Sequence, residues 1–276
     1  MTMLKTILVP VDFSSTSENA AQYALQLCKQ AGAKIILVHA YEPPPSFPMV
    51  EGLIYTEESL RDFMQQKLEE LSAKLAKQEA IVKVEYMLIN GQLRNVIQQL
   101  TDAMQVLMII MGITGAGKLK ETFIGSNTLT VASATTVPLL IIPEDARYTS
   151  ITDIGLTTDF RDVTDTIPYK KINELITTLG ARLHVLNIDM NQKNWTADTP
   201  FQSGLVETMF EHHHPTYHFI EGEDMAEGLS SYALTHSIEI LVTIPRKHNL
   251  LQKLFMGSHT KQLAFHSKVP VMIIHE

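Results

Sequence analysis

The sequence predicts an α/β fold built from two consecutive copies of one unit, each a parallel sheet flanked by helices. Three observations predict it. Between residues 6 and 142, short apolar runs of strand length alternate with stretches whose apolar positions recur at helical spacing. Near residue 150 the same pattern starts again. Between the apolar run Val106–Met111 and a helix start at Ser126 lies a glycine-rich stretch, a strand-to-helix connection at which a ligand can approach the backbone.

Taken in order, Thr6–Val11 reads as strand one. Asp12-Phe-Ser-Ser-Thr-Ser-Glu follows, rich in helix N-cap residues. Asn19–Ala31 carries Ala20, Ala24, Leu27 and Cys28 on one helical face and stops at Gly32. Lys34–Ala40 is strand two. The prolines between Tyr41 and Pro48 forbid helix and inner strand there, leaving a stiff surface loop. Glu57–Lys77 is a long charged helix with Leu60, Phe63, Met64, Leu68, Leu71 and Leu75 on one side. Val82–Leu88 alternates like a half-exposed strand, Asn90-Gly91 turns, and Leu93–Leu100 is a third helix. Strand four, the glycine stretch, a helix from Ser126 to Ala134 and strand five, Pro138–Ile142, complete the unit.

Right-handed crossovers would place strands one to three stepping outward and strand four returning beside strand one, as in a Rossmann half. Ligands bind where the strand order reverses, outside the carboxyl ends of the strands. The loops there follow strand one (Pro10–Asp12) and strand four (Gly112–Gly115), the two that look chemically unusual.

The second copy repeats the first in detail. Asp153–Phe160 echoes Ile7–Phe13, and Arg182–Asn187 echoes strand two. Ile220–Gly222 echoes Ile89–Gly91, and Ile238–Thr243 echoes strand four. Gly257-Ser258 echoes Gly125-Ser126, and Val269–Ile274 echoes Val137–Ile142. The expected domains are 1–145 and 150–276, joined by a short polar linker.

Composition narrows the function. A net charge of −8 argues against a nucleic-acid partner, which demands clustered positive charge. The single cysteine, Cys28, lies in a helical apolar pattern and reads as a buried structural thiol. No apolar run approaches membrane-spanning length and the N-terminus has no secretory-signal pattern, so a cytoplasmic location without membrane contact is expected.

In the glycine stretch, Gly112 is followed after two residues by Gly115, and after nine more by Gly125-Ser126. This spacing resembles the nucleotide-binding signature of the universal stress protein family, and nearly the whole chain resembles two such domains in tandem. The resemblance implies Rossmann-like (adenine nucleotide alpha hydrolase-like) domains, each a five-stranded parallel sheet of order 3-2-1-4-5. It also implies an adenine-nucleotide site in the first domain, for ATP, AMP or ADP, with Mg2+ as a companion. Asp12 would hydrogen-bond the adenine side, and the main chain of Pro10, Val11 and Ala40 would line base and ribose. Gly112 and Gly115 would wrap ribose and phosphates, with Met111 beside them also in the site. Gly125, Ser126 and Asn127 would donate to phosphate oxygens. Family dimers are often joined through the fifth strand. An intrachain pseudo-dimer through Pro138–Ile142 and Pro270–Ile274 is therefore expected, and a homodimer of chains is left open.

Other readings compete. Gly112 to Lys118 fits the start of a P-loop, Gly-x-x-x-x-Gly-Lys, but Leu119 stands where a magnesium-binding Ser or Thr belongs. In the second half, Asp159 stands for Asp12, but Ile244-Pro-Arg-Lys-His248 replaces the first two glycines. Arg246 and Lys247 could meet another anion; a degenerate site kept for packing is favoured. His212–His218 holds clustered imidazoles, but the break at Pro215 would scatter them, so a polar surface turn is favoured over a metal site. Trp195 and Phe201 read as packing locally. No nucleophile elbow, zinc-protease motif or isolated carboxylate pair marks catalysis, so an enzyme is not expected; the family resemblance implies instead a regulatory or sensor module in stress response. A slow ATPase or phosphotransferase and a nucleotide-free adaptor are the alternatives.

Overall fold

The structure, a computed structural model, describes residues 5–43, 56–113, 126–189, 195–221, 224–245, 263 and 267–276. The first half runs β1 (Lys5–Pro10), α1 (Ser15–Ala31), β2 (Ala33–Tyr41), α2 (Glu57–Gln78), β3 (Val84–Asn90), α3 (Leu93–Ala103), β4 (Val106–Ile113), α4 (Ser126–Ala134) and β5 (Leu139–Pro143). The second runs β6 (Asp153–Thr157), α5 (Val163–Thr166), α6 (Tyr169–Leu179), β7 (Arg182–Asp189), α7 (Thr199–Phe210), β8 (Thr216–Glu221), α8 (Met225–Thr235), β9 (Ile240–Thr243) and β10 (Val271–Ile273).

The strands form one ten-stranded sheet in the order β3-β2-β1-β4-β5-β10-β9-β6-β7-β8. Pairing within each half is parallel, and the halves join where β5 and β10 run antiparallel, Leu140 opposite Met272. The fifth strands are therefore interior, and the outer edges are β3 and β8. As two separate open sheets, the halves would expose both fifth strands as edges. Pairing satisfies their backbone donors and acceptors instead.

β1 is buried on both faces, so it reads as a continuous apolar run. Ile7, Val9 and Leu37 face α1 and α2, where Ala20, Ala24, Leu27, Leu68 and Leu75 pack. Leu8, Ile36 and Ile109 face α3 and α4, where Val96, Ile97 and Val131 pack. Cys28 is buried in the first of these layers, and burial pushes its thiol up to about 12, far from a reactive thiolate.

α1 begins at Ser15, one turn before the apolar periodicity becomes visible at Asn19. Ser14 caps it, its hydroxyl accepting the Ser17 N–H at 3.3 Å. The helix ends at Gly32, whose φ of +62° a side chain would strain. The segment after β5 is held against α1 by two amide side chains. Asn19 donates to the carbonyls of Pro143, Glu144 and Ala146 at 3.1–3.3 Å and accepts from Arg147 at 2.9 Å. Gln30 donates to the carbonyls of Ile151 (2.7 Å) and Leu179 (2.9 Å) and accepts from the Ile151 N–H and the Tyr148 hydroxyl. What reads as a plain polar linker is thus tied at both ends to α1.

In the second half, Asp153 opens β6 and is buried. Its carboxylate accepts from Arg182 (2.7 Å) and His184 (2.6 Å) on β7. His184 Nδ1 lies 3.1 Å from His218 Nε2 on β8, and His218 Nδ1 lies 2.7 Å from the Tyr232 hydroxyl on α8. Burial alone would raise the Asp153 carboxyl, but the hydrogen bonds from Arg182, His184 and Thr152 outweigh it and bring the group to about 2, below its ordinary 3.8. Because the folded value is the lower, this stabilisation is complete above the unfolded value and is lost as pH falls through the folded one. Asp153→Asn should therefore cost about 2 kcal/mol in urea unfolding at neutral pH. The difference should shrink between about pH 4 and pH 2, and a difference constant over that window would refute this role.

The imidazoles of 212–218 are dispersed. His212 and His213 sit on a 3-10 turn (Glu211–His213), and His214 turns the chain at φ +47°. His213 bonds Asn173 at 2.6 Å, whereas His218 joins the β7–β8 network. Among the described residues no three His, Cys, Asp or Glu are grouped to hold a metal, and no helix is long and apolar enough to cross a membrane. Trp195 packs edge-on against Phe219, with ring centres 5.7 Å apart. Phe201 lies in α7 and is exposed.

Candidate functional site

A cavity of about 360 Å³ opens at the carboxyl ends of β1, β2 and β4, where the strand order reverses between β1 and β4. It falls in the size range of small-molecule sites. Its position follows from topology, because helices leaving neighbouring strands toward opposite faces part there.

Of the residues expected from sequence, Pro10, Val11, Asp12, Ala40, Met111, Gly112 and Asn127 all line this cavity. Ser126 is the first residue of α4, adjoining Asn127. Gly115 and Gly125 lie outside the described residues, as do Lys118, Leu119, Arg246, Lys247, His248, Gly257 and Ser258.

Gly112 plays a different local part from a loop glycine. It belongs to β4, paired with Ile142, and a Cβ there would lie 2.2 Å from the backbone oxygen of Thr16. The glycine lets the first turn of α1 cross directly over the strand end, and that turn forms a cavity wall.

Asp12 is exposed at the end of β1. Its Oδ1 accepts the Ser14 N–H (3.1 Å) and the Ser14 hydroxyl (2.5 Å). Partial burial would raise this carboxyl, but the Ser14 donors outweigh it and hold the group below its ordinary value, ionised at neutral pH. Phe13 follows with φ +63°. This sharp turn swings the chain from strand into helix.

Sequence reasoning missed several lining residues, among them Ser14, Thr16, Ser17, His39, Gly91, Gln92 and Thr128. The serines are legible as helix caps, and Asn90-Gly91 as a turn, but neither pattern tells that these termini converge. α1, α3 and α4 all begin at this cavity. Gln92, the N-cap of α3, makes no side-chain cap bond, so that helix start keeps unpaired N–H groups. The N-termini that converge here aim N–H groups at the cavity, which suits an anionic ligand, although Asp12 and Glu42 also line it.

The second half preserves the strand-end geometry but changes the residues around it. Thr158 N–H donates to Leu186 O at 2.9 Å, as Val11 N–H does to Val38 O at 2.9 Å. Asp159 Oδ1 accepts the Arg161 N–H at 3.2 Å, and Phe160 repeats the positive φ at +52°. By register, Ile244 occupies the place of Gly112, one residue beyond Thr243 as Gly112 is beyond Met111. Its side chain packs against the core, so a helix start cannot cross there as α1 does. The corresponding helix breaks into α5 and α6 around Pro168, and the Val163 N–H at the start of α5 is taken by Gln202 Oε1 at 3.0 Å.

The family model described as the universal stress protein family matches residues 3–143 and 163–275 of the chain. A universal stress protein of Thermus aquaticus, encoded in the QAH/OAS sulfhydrylase 3′ region, is 29% identical over 140 residues, covering 51% of this chain and 99% of that protein. Universal stress protein YxiE of Bacillus subtilis is 27% identical over 147 residues, covering 51% and 99%. The crystal structure of a universal stress protein from Archaeoglobus fulgidus superposes with a TM-score of 0.74 over 98% of both chains at 19% identity, a likeness of fold.

Proposed function

The chain belongs to the universal stress protein family, and from that premise we propose that its first half binds one adenine nucleotide, ATP or a close relative, and acts as a nucleotide-dependent regulatory module rather than an enzyme. The observation that carries this reading is the cavity at the strand reversal on which α1, α3 and α4 all open. A polyanion suits the helix starts, α4 with Asn127 above all. The backbone at Val11 and Ala40, beside the ionised Asp12, suits a planar base with donors at its edge. The second half repeats the strand ends but has Ile244, packed on the core, where the first has Gly112, and the first N–H of α5 is already taken by Gln202, which supports a single site per chain.

Small molecules released from freshly purified protein should contain an adenine nucleotide by mass spectrometry. The protein incubated with ATP and Mg2+ should leave the ATP intact. Sustained Mg2+-dependent turnover, abolished by Lys118→Ala, would replace this reading with a slow ATPase or phosphotransferase. Absence of any nucleotide affinity would leave the adaptor.

A further inference from the structure

We infer that His39 is a specificity-determining residue of the cavity, its Nε2 accepting a hydrogen bond from the 6-amino group of the bound purine and disfavouring 6-oxo purines; this rests on the adenine-nucleotide reading above. His39 Nδ1 lies 2.6 Å from the Val11 carbonyl oxygen. A carbonyl can only accept, so Nδ1 carries the proton, and in the neutral ring Nε2 is left as a bare acceptor. The ring is held on a second side by Phe13, whose centroid is 4.6 Å away at an interplanar angle of 35°. The imidazole is therefore fixed in both tautomer and orientation, at a residue that lines the cavity between the Val11 and Ala40 backbones. Among the described residues only Nδ1 of this ring is hydrogen-bonded. Adenine offers a donor at its 6-position. Guanine and hypoxanthine offer a carbonyl there, which would set two acceptors face to face.

The second half separates this role from a structural one. Asn187 stands at the register of His39, and its Nδ2 donates to the Thr158 carbonyl at 2.8 Å, the same strand-end tie made without an imidazole. His39→Asn should accordingly keep the tie to Val11, while the shorter side chain leaves no acceptor at the position of Nε2.

The test is calorimetry on the full chain with ATP, ITP and the triphosphate of purine riboside, which lacks the 6-amino group. The parent should prefer ATP to either analogue by about tenfold, the scale of one hydrogen bond made or opposed. His39→Asn should lose most of that preference chiefly by weaker ATP binding, and the loss of the amino group and of the imidazole should be non-additive. Where the variant is poorly folded, the nitrogen-15 spectrum of the parent decides: the Nε2 signal should shift when ATP, but not ITP, is added. A parental ATP-to-ITP ratio in His39→Asn, or an Nε2 signal indifferent to ATP, overturns the assignment while ATP binding itself stands. Failure of the parent to bind any of the three overturns both this inference and the reading beneath it.

Discussion

Gly112→Val should abolish nucleotide binding and destabilise the chain together, by at least about 3 kcal/mol in urea unfolding. The cause is backbone against backbone. A Cβ at residue 112 would sit 2.2 Å from the Thr16 oxygen and 2.6 Å from its carbonyl carbon, and neither atom can rotate away as a side chain does. α1 would have to lift from β4, taking with it Ser14, Thr16 and Ser17, which wall the cavity. Gly112→Ala should act in the same direction, because the clashing atom is the Cβ itself. Gly155→Ala provides the contrast. Its Cβ would come within 2.7 Å of Leu186 Cδ1, the end of a flexible side chain, so repacking should hold the cost below that of Gly112→Ala. A Gly112→Val chain that unfolds at the parental urea concentration would show that α1 does not depend on this close approach.

The second large effect is expected at the seam between the halves. Leu140 and Met272 face each other across β5 and β10, and both are fully buried. Leu140→Asp combined with Met272→Asp would set two carboxylates opposite one another in an apolar layer, a loss of several kcal/mol by desolvation and like-charge repulsion. The halves should part, and the segment near Arg147, now tied down by Asn19 and Gln30, should become open to protease. Limited proteolysis read by mass spectrometry should show fragments of about half length. A double variant as protease-resistant as the parent would mean that the β5–β10 pairing does not hold the halves together. Lys171, which donates to the carbonyls of Thr136 and His275 at 2.9 Å, and Lys5, bonded to Glu174 at 3.2 Å, would then be the contacts to test next.

The strands were legible because most of their message is burial. A run such as Thr6–Val11 is apolar on both faces because helices cover both faces. The repeat made the second half readable from the first. Boundaries shifted where polar residues carry the structure: β3 starts at Val84 and runs to Asn90, later than Val82–Leu88 suggests, and β4 runs on through Gly112 to Ile113. The turn after strand one, which lines the cavity, was legible from Asp12. The convergence of three helix starts was not, because Ser14, Gly91 and Thr128 are brought together only by the sheet order. His39 was hidden for the same reason, reading in sequence as one more residue of an apolar strand. The ties made by Asn19 and Gln30 leave no pattern, since an amide on a helix surface looks the same whether it meets solvent or a neighbouring carbonyl.

The central claim, one nucleotide site per chain placed in the first half, is tested most directly by calorimetric titration of the full, nucleotide-free chain with ATP. A stoichiometry of one, unchanged by Asp159→Ala, is the predicted result. No measurable heat, or two equivalents bound per chain, would contradict it.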